Sequence, residues 1–355
     1  MDVESFYDAA SQATARSFTN AQNTILRDIS LAGLTIQLKF AGNVLLPFVL
    51  PAISHLLIDS RSTNPDYLIE IWDSASTFSD FPVAPCSVDN IEFRGEIKGL
   101  QSKRFESAYF THARMLSLLD HESKKGIVCL VDSSDVPAFE LACPLRGIFS
   151  WILRRNNVVM LHAAAIGTDD GNILIGGNSG AGKSSTALRC LVGGLNYLGD
   201  DICAISIDDE VPMVHSVYSS GKTLSSDLSK FPELLQSLHA HYDEDYEKEI
   251  FFFNKSFPNN LKSAGQLNAV VIPYQNALLP IGFQPLSYAK ALSVITTSTK
   301  SLLPDARNEM FHMLSLVLHH VPCYQFNLGG DPRKIASTLA DFIKQLKHNH
   351  GTYSA

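Results

Sequence analysis

Residues 176–185 read GGNSGAGKSS, and within them GNSGAGKS (Gly177–Ser184) is a full copy of the pattern G-x-x-x-x-G-K-[ST]. The apolar run NILIGG leads into it, and SSTALRCLV, apolar at helical spacing, leads out towards Gly193 and Gly194. A glycine-rich turn between a strand and a helix lets successive backbone N–H groups converge, and the helix N-terminus adds the positive end of its dipole. Such a turn cradles phosphate. In this chemistry the backbone of Gly177, Asn178, Ser179, Gly180, Ala181 and Gly182, with Ser185 beyond them, wraps the phosphates, and Lys183 reaches the β- and γ-phosphates. The Ser184 hydroxyl ligates Mg²⁺. The expected cofactors are therefore ATP and Mg²⁺, with GTP left open as the donor.

Upstream, VVMLHAAAIG, TDDG and NILIGG read as strand, turn and strand. If Ile166 opposes Asn172 in an antiparallel pair, His162 falls opposite Gly176 at the mouth of the loop, which makes it a candidate catalytic residue. Downstream, YLGDDICAISIDDE reads as a strand with Asp200 and Asp201 at its beginning. A carboxylate at the start of a strand meets a phosphate at the end of a neighbouring strand only if the two run antiparallel, so a mixed sheet is expected. LNAVVIP (Leu267–Pro273), CYQFNL (Cys323–Leu328) and the final helix PRKIASTLADFIKQLK complete an α/β pattern.

Before this region the pattern differs. LTIQLKF and YLIEIWD alternate as half-buried strands do, GIVCLVD adds another, and LRGIFSWILRR reads as a helix leading into the second domain. A length of 355 residues suits two domains: an N-terminal α+β domain over 1–150 and a P-loop catalytic domain over 151–355. With 45% apolar and 18% charged residues, the composition is that of a folded protein. A net charge of −8 without a basic cluster argues against a nucleic-acid partner. VLLPFVLPAISHLLI (Val44–Ile58) is shorter than a membrane span and carries two prolines, so it reads as one packed helix or two short elements. The N-terminus lacks the basic start and apolar run of a signal peptide, so a cytoplasmic protein without a membrane partner is expected. Cys86, Cys129, Cys143, Cys190, Cys203 and Cys323 form no CxxC pair and read as buried thiols in a reducing compartment.

LHAAA on one strand, GNSGAGKSS on its hairpin partner and GDD before the next strand together resemble the HPr kinase/phosphorylase superfamily, to which phosphoenolpyruvate carboxykinases are distantly related. The resemblance runs over roughly residues 155 to 345 and includes VPCYQFNLGGD (Val321–Asp331). It implies a P-loop kinase domain of the HPr kinase C-terminal type. In that role Asp200 takes the proton from an attacking hydroxyl, His162 stands beside it, and Asp201 lies nearer the metal with Ser184. The spacing alone leaves the roles of two adjacent carboxylates open.

Asn178 stands where the HPr enzymes carry an acidic residue, so HPr itself is not the implied substrate. The layout, with the stretches EIFFFNKSFP and LNAVVIP, is similar to that of the HPr-kinase-like enzymes encoded with lasso-peptide precursors. That likeness implies a serine hydroxyl of a ribosomal peptide as phosphate acceptor. Lys222, in the Gly/Ser-rich loop VYSSGKTLSSD, is a candidate contact to the γ-phosphate or to an acidic peptide. Lys255 and Arg307 are further basic candidates, and HAHYDEDYEKE (His239–Glu249) reads as a lid or a disordered segment. A small-metabolite kinase, an HPr-type protein kinase/phosphorylase and a non-catalytic nucleotide sensor stand as alternatives, and a homo-oligomer is compatible with each.

Overall fold

The computed structural model describes residues 2–59, 62–82, 88–239, 247–300 and 307–350. The chain divides into two units, Met1–Pro51 with Leu56–Ile152, and Ala52–His55 with Leu153–Ala355.

The first unit is built from α1 (Val3–Asn20), β1 (Thr24–Leu31), β2 (Leu34–Ala41), α2 (Leu46–Ile53), β3 (Leu57–Ile58), β4 (Tyr67–Asp73), α3 (Ser74–Thr77), β5 (Phe105–Phe110), β6 (Met115–Asp120), β7 (Lys125–Leu130), α4 (Ala138–Ala142) and α5 (Arg146–Arg155). Its strands form one sheet in the order β3-β1-β2-β4-β7-β6-β5. The β1–β2 hairpin closes through Ala32 and Gly33, both at positive φ, the geometry that a two-residue turn between right-twisted strands demands. β2, β4 and β7 run parallel, whereas β1, β5 and β6 are antiparallel to their neighbours. Phe6, Ala10 and Ala13 of α1 pack with Trp72, Leu116, Leu118 and Ile127 into one apolar cluster. Trp72 donates its indole N–H to Thr14 at 3.0 Å, so the one polar atom of that large side chain is satisfied inside the cluster.

The second unit continues with β8 (Val159–Leu161), β9 (Ala164–Thr168), β10 (Gly171–Ile175), α6 (Lys183–Val192), β11 (Asn196–Gly199), β12 (Cys203–Asp208), β13 (Val211–Ser216), β14 (Ser220–Leu224), β15 (Leu238–His239), β16 (Lys248–Phe252), β17 (Ala264–Tyr274), β18 (Gly282–Pro285), α7 (Tyr288–Lys300), α8 (Arg307–His320), β19 (Cys323–Asn327) and α9 (Ile335–His350). Nine strands join in the order β11-β9-β10-β17-β13-β12-β8, with β19 added on β17 and β18 on β19, and β14-β16-β15 form a small separate sheet. β10, β17 and β19 are parallel while β9 is antiparallel to both β10 and β11, so the sheet is mixed. One face of it is closed by α6 and α9, where Leu188, Leu191, Leu339 and Ile343 meet Ile173, Ile175, Val271 and Phe326. Among the described residues no helix is long and apolar enough to cross a membrane.

Three local expectations are corrected. VVMLHAAAIG is two strands, not one: β8 pairs with β12, whereas β9 pairs with β10 and β11, and the chain bends between them at His162 and Ala163. The β9–β10 register is displaced by one residue, because Thr168 opposes Gly171 across a two-residue turn and Ile166 therefore opposes Ile173. Finally, the acidic pair lies between two strands. The short β11 ends at Gly199, and being antiparallel to β9 it runs in the same direction as β10. Asp200 and Asp201 thus follow a strand parallel to β10, and the sheet is mixed because β9 on one side and β13 on the other run antiparallel to their neighbours.

Candidate active site

The glycine-rich segment leaves β10 at Ile175 and enters α6 at Lys183. Asn178, Ser179 and Gly180 form its exposed crest. Gly182, the residue before the helix, has φ +96°, and a Cβ there would stand 2.6 Å from Leu328 Cδ1. Only glycine meets both conditions. Lys183 folds back beneath the loop and donates from Nζ to the carbonyls of Gly177 (2.8 Å) and Asn178 (3.2 Å). Its ammonium is buried, which lowers its proton affinity, while Asp200 and Asp201 act in the opposite sense and Lys248 adds to the lowering.

The two carboxylates sit in unlike surroundings. Asp200 is 1% exposed; one oxygen, Oδ2, accepts the Lys222 backbone N–H at 3.3 Å, and Oδ1 is buried with no hydrogen-bond partner among the described residues. Burial and then the charge of Asp201 raise its proton affinity, and the neighbouring Ser184 hydroxyl opposes them. Asp201 sits at φ +70°, in the left-handed region that aspartate tolerates better than most residues. Both of its oxygens are engaged, Oδ1 with His162 Nε2 at 3.1 Å and Oδ2 with Lys222 Nζ at 2.5 Å. Burial alone would raise this carboxyl, but Lys222 and His162 outweigh it and hold Asp201 well below the ordinary carboxylate range.

His162 is fixed from the far side by the end of α7. Its backbone N–H donates to Thr299 Oγ1 at 3.0 Å, and its ring Nδ1 lies 2.7 Å from Ser298 Oγ and 3.3 Å from the Ser298 carbonyl. The Ser298 hydroxyl also lies 2.9 Å from the Gly177 carbonyl, to which it can donate. Nε2 faces the Asp201 carboxylate as a donor, since an unprotonated nitrogen there would set lone pair against lone pair. A continuous chain therefore runs from Asp201 through His162 and Ser298 to the start of the glycine-rich loop.

The structure thus brings together Gly177–Ser184, Asp200, Asp201, His162 and Lys222. It changes two details. Lys222 lies on strand β14 and not in a loop. The resemblance implies His162 beside Asp200 and Asp201 nearer the metal, yet His162 contacts Asp201 and it is Asp200 that neighbours Ser184. Lys255 is exposed after β16, the Arg307 side chain lies outside the described residues, and so do 240–246 of the expected lid. Ser298, Thr299 and Lys248 are additions that motif reading misses. The signal for the first two is the run TTSTK at the end of α7, where Thr296, Ser298 and Thr299 are all buried hydroxyls.

The oxygens present suit Mg²⁺. Ser184 offers a hydroxyl, and Asp200 Oδ1 beside it is a buried carboxylate oxygen with no hydrogen-bond partner among the described residues. Mg²⁺ favours hard oxygen ligands and keeps several waters and phosphate oxygens, so two protein ligands are enough. Asp201 fits less well, since both of its oxygens are already engaged, one by His162 and one by Lys222.

No family model and no curated protein matches the chain. Among solved structures it is similar to the Hpr(Ser) kinase/phosphatase from Coxiella burnetii, with 11% identity and a TM-score of 0.28 over 55% of this chain and 97% of that one. A likeness at that level bears on neither activity nor substrate.

Proposed function

We propose that the chain is an ATP-dependent kinase that transfers the γ-phosphate to a serine-type hydroxyl of a peptide or protein. The observation that supports this most is the convergence of a phosphate loop, two carboxylates in unlike environments and a histidine within one unit. Phosphoryl transfer needs positioned groups and electrostatic stabilisation more than covalent chemistry, and these residues supply both. Lys183 stabilises charge at the bridge between the β- and γ-phosphates. Ser184 and Asp200 would hold Mg²⁺, and the bound ion would neutralise charge growing on the phosphate oxygens. Asp201, kept ionised and aimed by His162 and Lys222, accepts the hydrogen bond of the attacking hydroxyl and then its proton as the bond to the leaving β-phosphate oxygen breaks. A carboxylate of low proton affinity can do this because the transition state is loose and the proton moves late.

The raised proton affinity of Asp200 favours the reverse assignment, with Asp200 as base. Magnesium titration separates the two. In γ-labelled ATP assays followed by phosphoserine detection, Asp200→Asn should recover part of its activity at high Mg²⁺, and Asp201→Asn should not recover at any concentration. The opposite pattern exchanges the roles, and label transfer by both variants at the wild-type rate overturns the kinase reading.

We further propose the unit Met1–Pro51 with Leu56–Ile152 as the part that recognises the acceptor. Its support is that it has its own core and contributes none of the phosphate-site residues. A small-metabolite kinase would need no such unit. A peptide of the lasso-precursor kind is the acceptor class that the sequence likeness favours.

A further inference from the structure

The sheet order gives a bound nucleotide a direction. Asp200 and Asp201 follow β11, and in the order β11-β9-β10-β17, with β19 beyond β17, they stand on one side of the phosphate-loop strand β10. The γ-phosphate must face those carboxylates, so the nucleoside has to leave the loop on the other side. On that side β17 and β19 run parallel to β10; Ile175, the last residue of β10, is level with Val271, and β17 and β19 run on past it to the paired Tyr274 and Asn327. Ligands of open α/β sheets bind at the carboxyl ends of such strands.

Two segments stand there, residues 275–281 after β17 and 328–331 after β19, and they are locked into one body. Asn327, 2% exposed, donates its amide to the carbonyls of Asn276 (3.2 Å), Leu279 (2.9 Å) and Pro280 (2.9 Å) and accepts the Asn276 N–H at 2.9 Å. Asn276 Oδ1 in turn accepts the Leu278 N–H at 3.0 Å. Any side chain at Gly329 would stand within 2.5 Å of the Asn276 and Leu279 carbonyl oxygens, so the two segments touch backbone to backbone. Leu328 joins them to the phosphate loop through its contact with Gly182. On this rigid support the side chain of Leu278 is 93% exposed and that of Leu279 is 40% exposed. A loop held by so many hydrogen bonds cannot collapse to hide them.

We propose that Leu278 and Leu279, with Leu328 at their base, form the platform for the nucleobase of the bound nucleotide; this rests on the phosphate-loop reading above. The occupant is a purine, whose flat apolar faces match aliphatic side chains. The amide of Asn327 is spent on the loop itself, so the platform reads shape and area and does not read the hydrogen-bonding edge of the base. ATP and GTP therefore bind with similar affinity, and discrimination between them is weak.

Calorimetric titration of the full chain with Mg-ATP, Mg-GTP and inorganic tripolyphosphate tests this. Wild type should bind both nucleotides within a few-fold of each other and more tightly than tripolyphosphate. Leu278→Ser, an exposed change that leaves the Asn327 network intact, should weaken both nucleotides by about tenfold and leave tripolyphosphate unchanged. Lys183→Ala should weaken all three. Wild-type nucleotide affinity in Leu278→Ser, or equal affinity of wild type for ATP and tripolyphosphate, overturns the platform while the phosphate loop stands. If none of the three binds wild type, the phosphate-loop reading fails and the platform falls with it.

Discussion

Lys222→Met removes the ammonium that holds Asp201 Oδ2, and its cost can be worked from the surroundings. The side chains of Lys222 and Asp201 are 11% and 17% exposed, so the pair is close to buried. Breaking a buried pair by deleting one partner costs about 3–5 kcal/mol, because the remaining charge keeps its desolvation penalty. His162 still contacts Asp201, which moves the figure to or below the bottom of that range, about 2–3 kcal/mol. In a unit of roughly 200 residues each kcal/mol shifts the melting temperature by about 2–4 °C, so a fall of about 5–10 °C is expected. Asp201→Asn should also destabilise, by removing the carboxylate that Lys222 Nζ meets at 2.5 Å. The double variant Lys222→Met with Asp201→Asn strands neither charge and should lose much less than the sum, leaving a coupling of about 2 kcal/mol. Differential scanning calorimetry without nucleotide or Mg²⁺, following the transition of the second unit, reads all four proteins. A melting temperature unchanged in Lys222→Met, or additive losses in the double variant, would refute the coupled acid-lysine-histidine cluster.

Other outcomes follow from single contacts. Gly182→Ala forces a side chain into the left-handed region and against Leu328, so it should cost roughly 2–3 kcal/mol by thermal melting and weaken Mg-ATP binding as well. In the first unit, burial would raise Asp120, but the Arg104 guanidinium and Ser123 outweigh it and bring its pKa to about 2. The stabilisation this gives is complete above pH ~4 and is lost as pH falls through about 2, so Arg104→Gln should move the acid transition seen by circular dichroism to higher pH. Burial lowers His55 to about 4, so its neutral form is the native one. Stability should therefore decline as pH falls from ~6.5 towards 4, and His55→Gln should flatten that part of the melting-temperature profile.

The glycine-rich turn between β10 and α6 is legible in the sequence because it is carried by backbone geometry, and glycine at 177, 180 and 182, each at positive φ, reports that geometry directly. Long strands such as β17 are legible from their apolar runs. His162 could be singled out, but its placement could not be derived, since every residue of VVMLHAAAIG suits a buried strand and nothing local marks the change of partners from β12 to β10. The acidic pair was misread for a related reason. β11 is only four residues, NYLG, and merges by pattern with the apolar run after it, so the break at Gly199–Asp201 shows only once β9 is seen to separate it from β10. Ser298 and Thr299 lie 136 and 137 residues from His162, and no spacing rule connects them. The exposed Leu278 is likewise legible only after Asn327 is seen to hold its loop rigid.

Titration of the full chain with ATP in the presence of Mg²⁺, comparing wild type with Lys183→Ala, tests the central claim most directly. Lys183 bonds only loop carbonyls among the described residues, so its removal should cost little in folding and be felt chiefly by the ligand. Saturable binding by wild type that depends on Mg²⁺, and affinity at least about 100-fold weaker in a Lys183→Ala protein of normal melting temperature, is the predicted result. Equal ATP affinity in the two proteins, or no binding by folded wild type, would contradict it.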